Sequence, residues 1–174
     1  MGKNLIVKGA DFSANGIVIR SQELIYDSIS GFSTLAGWNS PNSNALSIPT
    51  NANIAGRTLT KIAIKRSGTC SQNIGIVKYN KVTLDYTLLA TITMEEFNAS
   101  EITEKSLDNV VISSNELLMV GNVANGGDSE KMFFAIATGN QSTNFGRYTL
   151  LKTGVLNDIS YTSALMCKIW AWSE

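Results

Sequence analysis

The central part of the chain alternates between apolar and polar side chains with a period of two. Between residues 60 and 65, Thr60, Ile62 and Ile64 share one face, and Lys61 and Lys65 share the other. This alternation is typical of a strand with one buried and one solvated face. Alternation or short apolar runs predict further strands at Asn73–Tyr79, Thr87–Met94, Val110–Ile112, Leu117–Gly121, Met132–Ala137, Tyr148–Leu151 and Tyr161–Trp172.

The segments between these strands favour turns and loops rather than helices. Pairs such as Ser67-Gly68 and Gly126-Gly127 supply the positive φ angles or side-chain caps that reverse a chain. The helix candidate Met94–Lys105 is short and lies between β-type runs, so we interpret it as a loop with at most one turn. Residues Tyr26–Ala55 contain both prolines. We predict that they form either an irregular segment or a short entry strand around Leu46–Ile48.

Many short strands and few helices predict an all-β fold. We expect an antiparallel β-sandwich with a short extended N-terminal arm. The number of strands and the uneven loop lengths favour a jelly roll, and an immunoglobulin-like sandwich is the alternative. Residues 1–25 are assigned to the arm and residues 26–174 to the sandwich domain.

The N-terminal arm has two short apolar runs, 5–7 and 17–19, joined by a polar, Gly-containing link. Neither run has the roughly 7 to 15 apolar residues of a secretory signal, so no export signal is expected. Extended backbone of this kind can add to the edge of a neighbouring sheet. The alternative is a strand that folds back onto its own domain. The residues predicted to make the assembly contact are Leu5, Ile6, Val7, Phe12 and Ile17.

The charge pattern argues against two classes of partner. The 14 basic and 14 acidic residues give a formal net charge of zero and are spread along the chain. No basic cluster is available to neutralise phosphates, so neither nucleic acid nor an anionic membrane is expected as a partner. The two cysteines, Cys70 and Cys167, are expected to be buried free thiols, although their spacing does not exclude a disulfide.

The residue types present also limit the chemistry. The chain has no histidine, so neither a Ser-His-Asp nor a Cys-His nucleophile can form, and imidazole metal ligation is excluded. Paired carboxylates could still serve a glycoside hydrolase, with Glu95 and Glu96 or Glu101 and Glu104 as nominal candidates. We interpret both pairs as solvated loop charges. No enzymatic activity, metal or cofactor is therefore expected.

The three tryptophans are candidates for a glycan or partner surface. Trp38 lies in a polar segment, whereas Trp170 and Trp172 lie two apart on the last strand and share one face with Met166 and Lys168. Such flat rings can stack on sugars or contact a protein partner. If the tryptophan side is internal, it simply fills the core, and this is the interpretation that we favour.

Two segments resemble proteins of one biological setting. Residues 3–17, KNLIVKGADFSANGI, resemble the opening of many proteins from gut Bacteroides-type bacteria and from the tailed, crAss-like phages that infect them. Residues 47–62, SIPTNANIAGRTLTKI, are similar to the entry of the β-sandwiches that follow there. The resemblance implies a phage fibre, capsid-decoration or sugar-binding module, and it transfers no site residues.

These observations lead to one favoured functional hypothesis and one alternative. We expect a non-enzymatic virion structural protein, a subunit of a head fibre, capsid decoration or tail appendage that is located in the virion. It would contact other virion proteins through its arm and form a homo-oligomer, with a trimer as one option. The alternative is a carbohydrate-binding module that recognises a cell-surface glycan.

Overall fold

The computed structural model describes residues 10–13, 16–30, 36–40, 44–48, 53–121, 132–138, 147–150, 159–160 and 163–173. The described part is almost entirely β-structure, with one short helix, α1 (Met94–Ala99). The all-β prediction is therefore confirmed. In chain order the strands are β1 (Ala10–Ser13), β2 (Gly16–Ile19), β3 (Gln22–Asp27), β4 (Ala36–Ser40), β5 (Asn44–Ser47), β6 (Thr58–Lys65), β7 (Ile74–Asn80), β8 (Tyr86–Ile92), β9 (Ile102–Val111), β10 (Glu116–Gly121), β11 (Met132–Thr138), β12 (Arg147–Leu150), β13 (Ile159–Ser160), β14 (Ser163–Leu165) and β15 (Cys167–Trp172).

Two larger sheets form the sandwich. One has the strand order β3-β15-β6-β9, and the other has the order β13-β12-β5-β10-β7-β8. The chain crosses between them repeatedly, because β3, β6, β9 and β15 lie in the first sheet and β5, β7, β8 and β10 in the second. β14, β11 and β4 form a three-stranded sheet, and β1 pairs with β2. All of these strand pairs are antiparallel.

The inner faces of the two larger sheets share one hydrophobic core. The first sheet contributes fully buried side chains such as Ile62 and Ile169, and the second contributes Ile74 and Ile76. Burying one such side chain stabilises the fold by roughly 1.5–3 kcal/mol. β15 buries alternate residues, so its other face is partly accessible, whereas β7 and β10 are buried on both faces and contribute a second buried cluster, Val77, Tyr79 and Met119.

Helix α1 corrects the prediction of a loop at Met94–Lys105. Thr93 and Glu96 form a capping box, in which the Thr93 side chain accepts a hydrogen bond from the Glu96 N–H and the Glu96 carboxylate accepts one from the Thr93 N–H. Phe97 anchors the helix in the core with 0% of its surface exposed. These caps and this burial stabilise a helix that is too short to form alone.

Three further boundaries differ from the sequence-based prediction. β9 begins at Ile102, whereas the alternation predicted a strand only from Val110. The predicted strand Tyr161–Trp172 is interrupted at Met166, between β14 and β15. The structure also places β3, most of which falls in the predicted arm of residues 1–25, beside β15 in the four-stranded sheet. β3, which begins at Gln22, therefore forms one edge of that sheet.

Buried Ser28 holds the break before β15 in place. Its Oγ accepts a hydrogen bond from the Cys167 N–H at 2.8 Å and lies 3.0 Å from the Leu165 carbonyl and 3.1 Å from the Cys167 carbonyl, to which it can donate. The Ser28 N–H also donates to the Cys167 carbonyl at 2.9 Å. This one residue therefore satisfies backbone groups that an interrupted ladder would otherwise leave unpaired.

Candidate functional site

The last strand, β15, presents its tryptophans outward. Cys167, Ile169 and Ala171 are fully buried, whereas Lys168, Trp170 and Trp172 are half-buried. The interpretation that the tryptophans fill the core is therefore wrong. β15 lies between β3 and β6, and its smaller side chains pack into the core shared with the opposite sheet. Met166 is buried although the alternation grouped it with the tryptophans, because it lies in the break where the strand pattern does not continue.

Trp170 is enclosed by residues from both neighbouring strands. The register places it opposite Leu24 of β3 and opposite Lys61 of β6. The Lys61 Nζ lies 4.1 Å from the centroid of the indole ring, a cation–π contact, and 2.8 Å from the Glu104 Oε2. One face of the Trp170 ring is therefore already occupied by a side chain that a second contact holds in place.

Trp172 is fixed by a bulge in the neighbouring part of the sheet. The pairing of β6 with β9 shifts register between Leu59 and Lys61, and Asn109 adopts a φ of 49° there, a left-handed conformation that asparagine tolerates well. The Asn109 Oδ1 accepts a hydrogen bond from the Trp172 Nε1 at 2.7 Å. Arg57 donates to the Trp172 carbonyl at 3.4 Å and forms an ion pair with Glu23.

An ion pair lies beside the two tryptophans. The Lys168 Nζ is 3.1 Å from the Asp27 Oδ2. Desolvation raises the pKa of the Asp27 carboxyl, but hydrogen bonds from Ser30, Lys168 and Ile29 outweigh it and lower the pKa to about 2. We call the outward surface made by six residues the tryptophan face: Leu24, Lys61, Asn109, Lys168, Trp170 and Trp172. Each of its two lysines is paired with a carboxylate, Lys61 with Glu104 and Lys168 with Asp27, so the charges of the lysines are balanced locally.

The structure describes the backbone of two residues of the predicted assembly contact, and the contact itself stays a prediction. Phe12 and Ile17 are brought together, because they are directly opposite each other in the pairing of β1 with β2. Leu5, Ile6 and Val7 lie outside the described residues. We call β1 and β2 the N-terminal hairpin; among the described strands, its two members pair only with each other.

The third tryptophan lies on a different sheet. Trp38 is on β4, where its backbone is opposite Phe134 of β11. The orientation of its side chain is outside the described part of the structure. The described strand pairings therefore join Trp170 and Trp172 in one sheet, and do not join Trp38 to them.

The nominal catalytic carboxylates take part in structural contacts. Glu96 caps α1 and pairs with Lys105 at 3.0 Å, Glu101 pairs with Lys65 at 3.1 Å, and Glu104 pairs with Lys61 at 2.8 Å. The hydrogen bond from the Thr93 backbone, together with Lys105, lowers the pKa of the Glu96 carboxyl. These ion pairs link β9 and the residue before it to the neighbouring strand β6, and they link β9 to α1.

Both cysteines are free and buried. Burial raises the pKa of the Cys167 thiol to about 12, which disfavours the reactive thiolate. The Asn98 amide of α1 binds Cys70 at both backbone groups, accepting from its N–H at 2.8 Å and donating to its carbonyl at 2.9 Å. Both thiols therefore belong to the packed interior.

Sequence reasoning missed a second surface, at the hairpin of β7 and β8. We call it the apolar patch: Val82, Leu84, Tyr86 and Leu88 are all largely exposed, and the turn between the two strands contributes the first two. A signal for it was present in the sequence, since apolar residues in a turn of polar neighbours are unusual. The alternation in Thr87–Met94 revealed the strand but did not show that its first half is exposed.

Comparison with known proteins gives no match from which a function could be transferred, so a function has to be inferred from the surfaces described above. No protein family, curated protein or solved structure matches the chain. No helix in the described ranges has both the length and the apolar character needed to cross a membrane. Nor do the described side chains include a group of three or more Cys, Asp or Glu placed to hold a metal ion.

Proposed function

We propose that this chain is a non-enzymatic structural subunit of a phage virion that docks through its N-terminal hairpin. The observation that carries the proposal is the pairing of β1 with β2 and with no other described strand. Since neither strand has a second partner among the described strands, the outer edge of each can pair with a strand of another protein. The register places Phe12 opposite Ile17 in that small sheet.

The strand order of the sandwich supports a jelly roll as the body of this subunit. Eight strands divide equally between the orders β3-β15-β6-β9 and β5-β10-β7-β8. Consecutive members of this set change sheet at every step except from β7 to β8. Jelly rolls built from two such sheets are common in viral capsid proteins. The resemblance of residues 3–17 and 47–62 to phage-associated proteins favours the same setting.

The alternative function, binding of a cell-surface glycan, receives less support from the tryptophan face. A sugar stacks on an open aromatic ring, whereas the Lys61 ammonium stands over the Trp170 ring while it also binds Glu104. A sugar that uses that ring face must first displace this lysine. Among the tryptophans, Trp38 is therefore the remaining glycan candidate.

Virion particles provide the direct test of this function. Particles that lack the chain would be mixed with the purified full chain, with a variant lacking residues 1–19, or with Leu24→Ser as a matched surface control. We expect the full chain and Leu24→Ser to sediment with the particles and the truncated chain to remain in solution. Sedimentation of the truncated chain would refute docking through the hairpin, and failure of the full chain to bind would refute the virion role.

A further inference from the structure

The apolar patch lies at one end of the six-stranded sheet. The exposed fractions are 70% for Val82, 52% for Leu84, 45% for Tyr86 and 50% for Leu88. β8 is the terminal strand of that sheet in the described order. The patch therefore adjoins a strand edge that has no ladder partner among the described strands, which is the feature that recruits another strand.

The edge of β8 lacks the charged side chains that the other long edges carry. β3 includes Glu23 and Asp27, and β9 includes Glu104, Lys105 and Asp108. β8 reads YTLLATI and has no charged residue, glycine or proline over seven positions, and it carries one bulge, at Leu89. Proteins usually block exposed edges with charges, bulges or proline, so the regular, uncharged stretch before the bulge indicates a pairing surface.

The turn next to this edge holds a leucine in an unfavourable conformation. Leu84 has a φ of 62°, in the left-handed region where a branched apolar side chain is strained. The same residue is 52% exposed, so burial within the chain does not fully offset the strain. The turn itself requires this conformation, since the Leu84 N–H donates to the Asn80 carbonyl at 2.9 Å and the Asn80 N–H donates to the Asp85 carbonyl at 2.8 Å. Glycine or asparagine would adopt it without strain, so an exposed leucine there indicates a side chain that serves a contact.

We infer that β8 pairs antiparallel with β8 of a second copy of this chain. Such pairing is symmetric about a twofold axis and joins the two six-stranded sheets into one continuous sheet. Because β8 carries no charge, the pairing opposes no like charges within the strand. In such an antiparallel pair, the turn before β8 in one copy lies towards the start of α1 in the other copy. The charges of the turn residues Lys81 and Asp85 cancel. Glu95 and Glu96 at the start of α1 therefore meet no net negative charge.

The exposed area sets the expected strength of this contact. Four side chains of this size and exposure present about 350 Å² of apolar surface per copy, or about 700 Å² for two copies. Stable dimers bury about 1,200–2,000 Å² in total, so the backbone of β8 and its polar neighbours must supply the rest. We therefore expect a reversible dimer with a Kd in the micromolar range, independent of the N-terminal hairpin.

Sedimentation velocity over a concentration series tests this pairing with the full chain, Leu88→Lys and Val111→Lys. The last variant is a matched control, because Val111 is an exposed apolar residue, 48% accessible, on the edge strand of the other sheet. We expect Leu88→Lys to raise the dimer Kd at least tenfold and Val111→Lys to leave it within twofold. Hydrogen exchange on the unmodified chain should show that amides 86–90 become protected as the concentration rises, with β9 unchanged.

The outcomes separate this inference from the proposed function. Unchanged association in Leu88→Lys, equal loss in both lysine variants, or concentration-independent exchange in β8 would overturn the pairing of β8. Association that is lost only when residues 1–19 are removed would support docking through the hairpin and overturn the β8 dimer. Dimerisation that survives removal of residues 1–19 and is lost in Leu88→Lys would support the inference even if the virion role fails.

Discussion

Lys61 covers the ring of Trp170, with its Nζ 4.1 Å from the ring centroid. Glu104 holds the same ammonium at 2.8 Å, so three residues from three adjacent strands act as one unit. The two tryptophans of β15 are thereby outward-facing but partly covered. This arrangement makes the tryptophan face a stabilised outer surface of the sandwich rather than an open aromatic platform.

A double-mutant cycle measures the contact between Lys61 and Trp170. We expect Lys61→Met and Trp170→Leu to show a coupling of about 1 kcal/mol in the free energy of unfolding, as for a partly desolvated cation–π pair. Lys65→Met combined with Trp170→Leu is the control, since Lys65 is four residues along β6 and pairs with Glu101. Equal coupling in both cycles would mean that the ring contact has no specific energy.

Removing the Ser28 hydroxyl should destabilise the sandwich. Ser28→Ala takes a hydrogen-bonding partner from the Cys167 N–H and the Leu165 carbonyl in a buried position, at a cost of about 1–3 kcal/mol. Ser106→Ala, at an exposed position on β9, should stay within about 0.5 kcal/mol of the unmodified chain. Urea unfolding measures both variants, and a neutral Ser28→Ala would show that this link is not needed at the strand break.

The fold was largely predictable where one strand face is apolar and the other polar. β6 shows such alternation between Thr60 and Lys65, whereas β7 and β10 were recognised from their apolar residues although both of their faces are buried. β9 was mostly missed because Lys105, which pairs with Glu96 of α1, interrupts its apolar alternation. The Thr93-x-x-Glu96 capping box was a readable helix signal that the flanking β-type runs obscured.

The functional surfaces were less predictable, because they depend on contacts between distant segments. Both faces of β15 are apolar in sequence, so only the packing of Ile169 and Ala171 against the core decides which side is outward. The bulge that presents Asn109 to Trp172 has no local signature. Pairing of β1 with β2 was likewise missed, because β1 lies in the segment that was interpreted as a polar link between the two apolar runs.

The Asp27 carboxyl should make stability depend on pH in acid. Its pKa is lowered from 3.8 to about 2, so the unfolded chain binds the proton more tightly and stability falls as the pH drops from about 5 to 2. The loss should reach about 1–2 kcal/mol, since the 21% exposed side chain is partly screened. Urea unfolding at pH 6 and pH 3 should show a smaller loss in Asp27→Asn than in Asp108→Asn, and equal losses would contradict this role.

The two thiols should resist modification until the chain unfolds. Cys70 is 4% exposed and Cys167 is 0% exposed, and burial holds the pKa of Cys167 at about 12. With an aromatic disulfide reagent at pH 8, we expect slow modification of the native chain and rapid modification of two thiols in urea. Ser28→Ala should react faster because it opens more often. Immediate reaction of either thiol in the native chain would contradict its buried position.

Assembly through the N-terminal hairpin is the central claim, and light scattering tests it most directly. The molar mass of the full chain would be measured beside that of residues 20–174, with Leu24→Ser as a control that leaves the hairpin intact. We predict that the full chain and Leu24→Ser form the same oligomer and that removal of residues 1–19 lowers its mass while the sandwich stays folded. A full chain that is monomeric, or an oligomer whose mass is unaffected by the deletion, would contradict the claim.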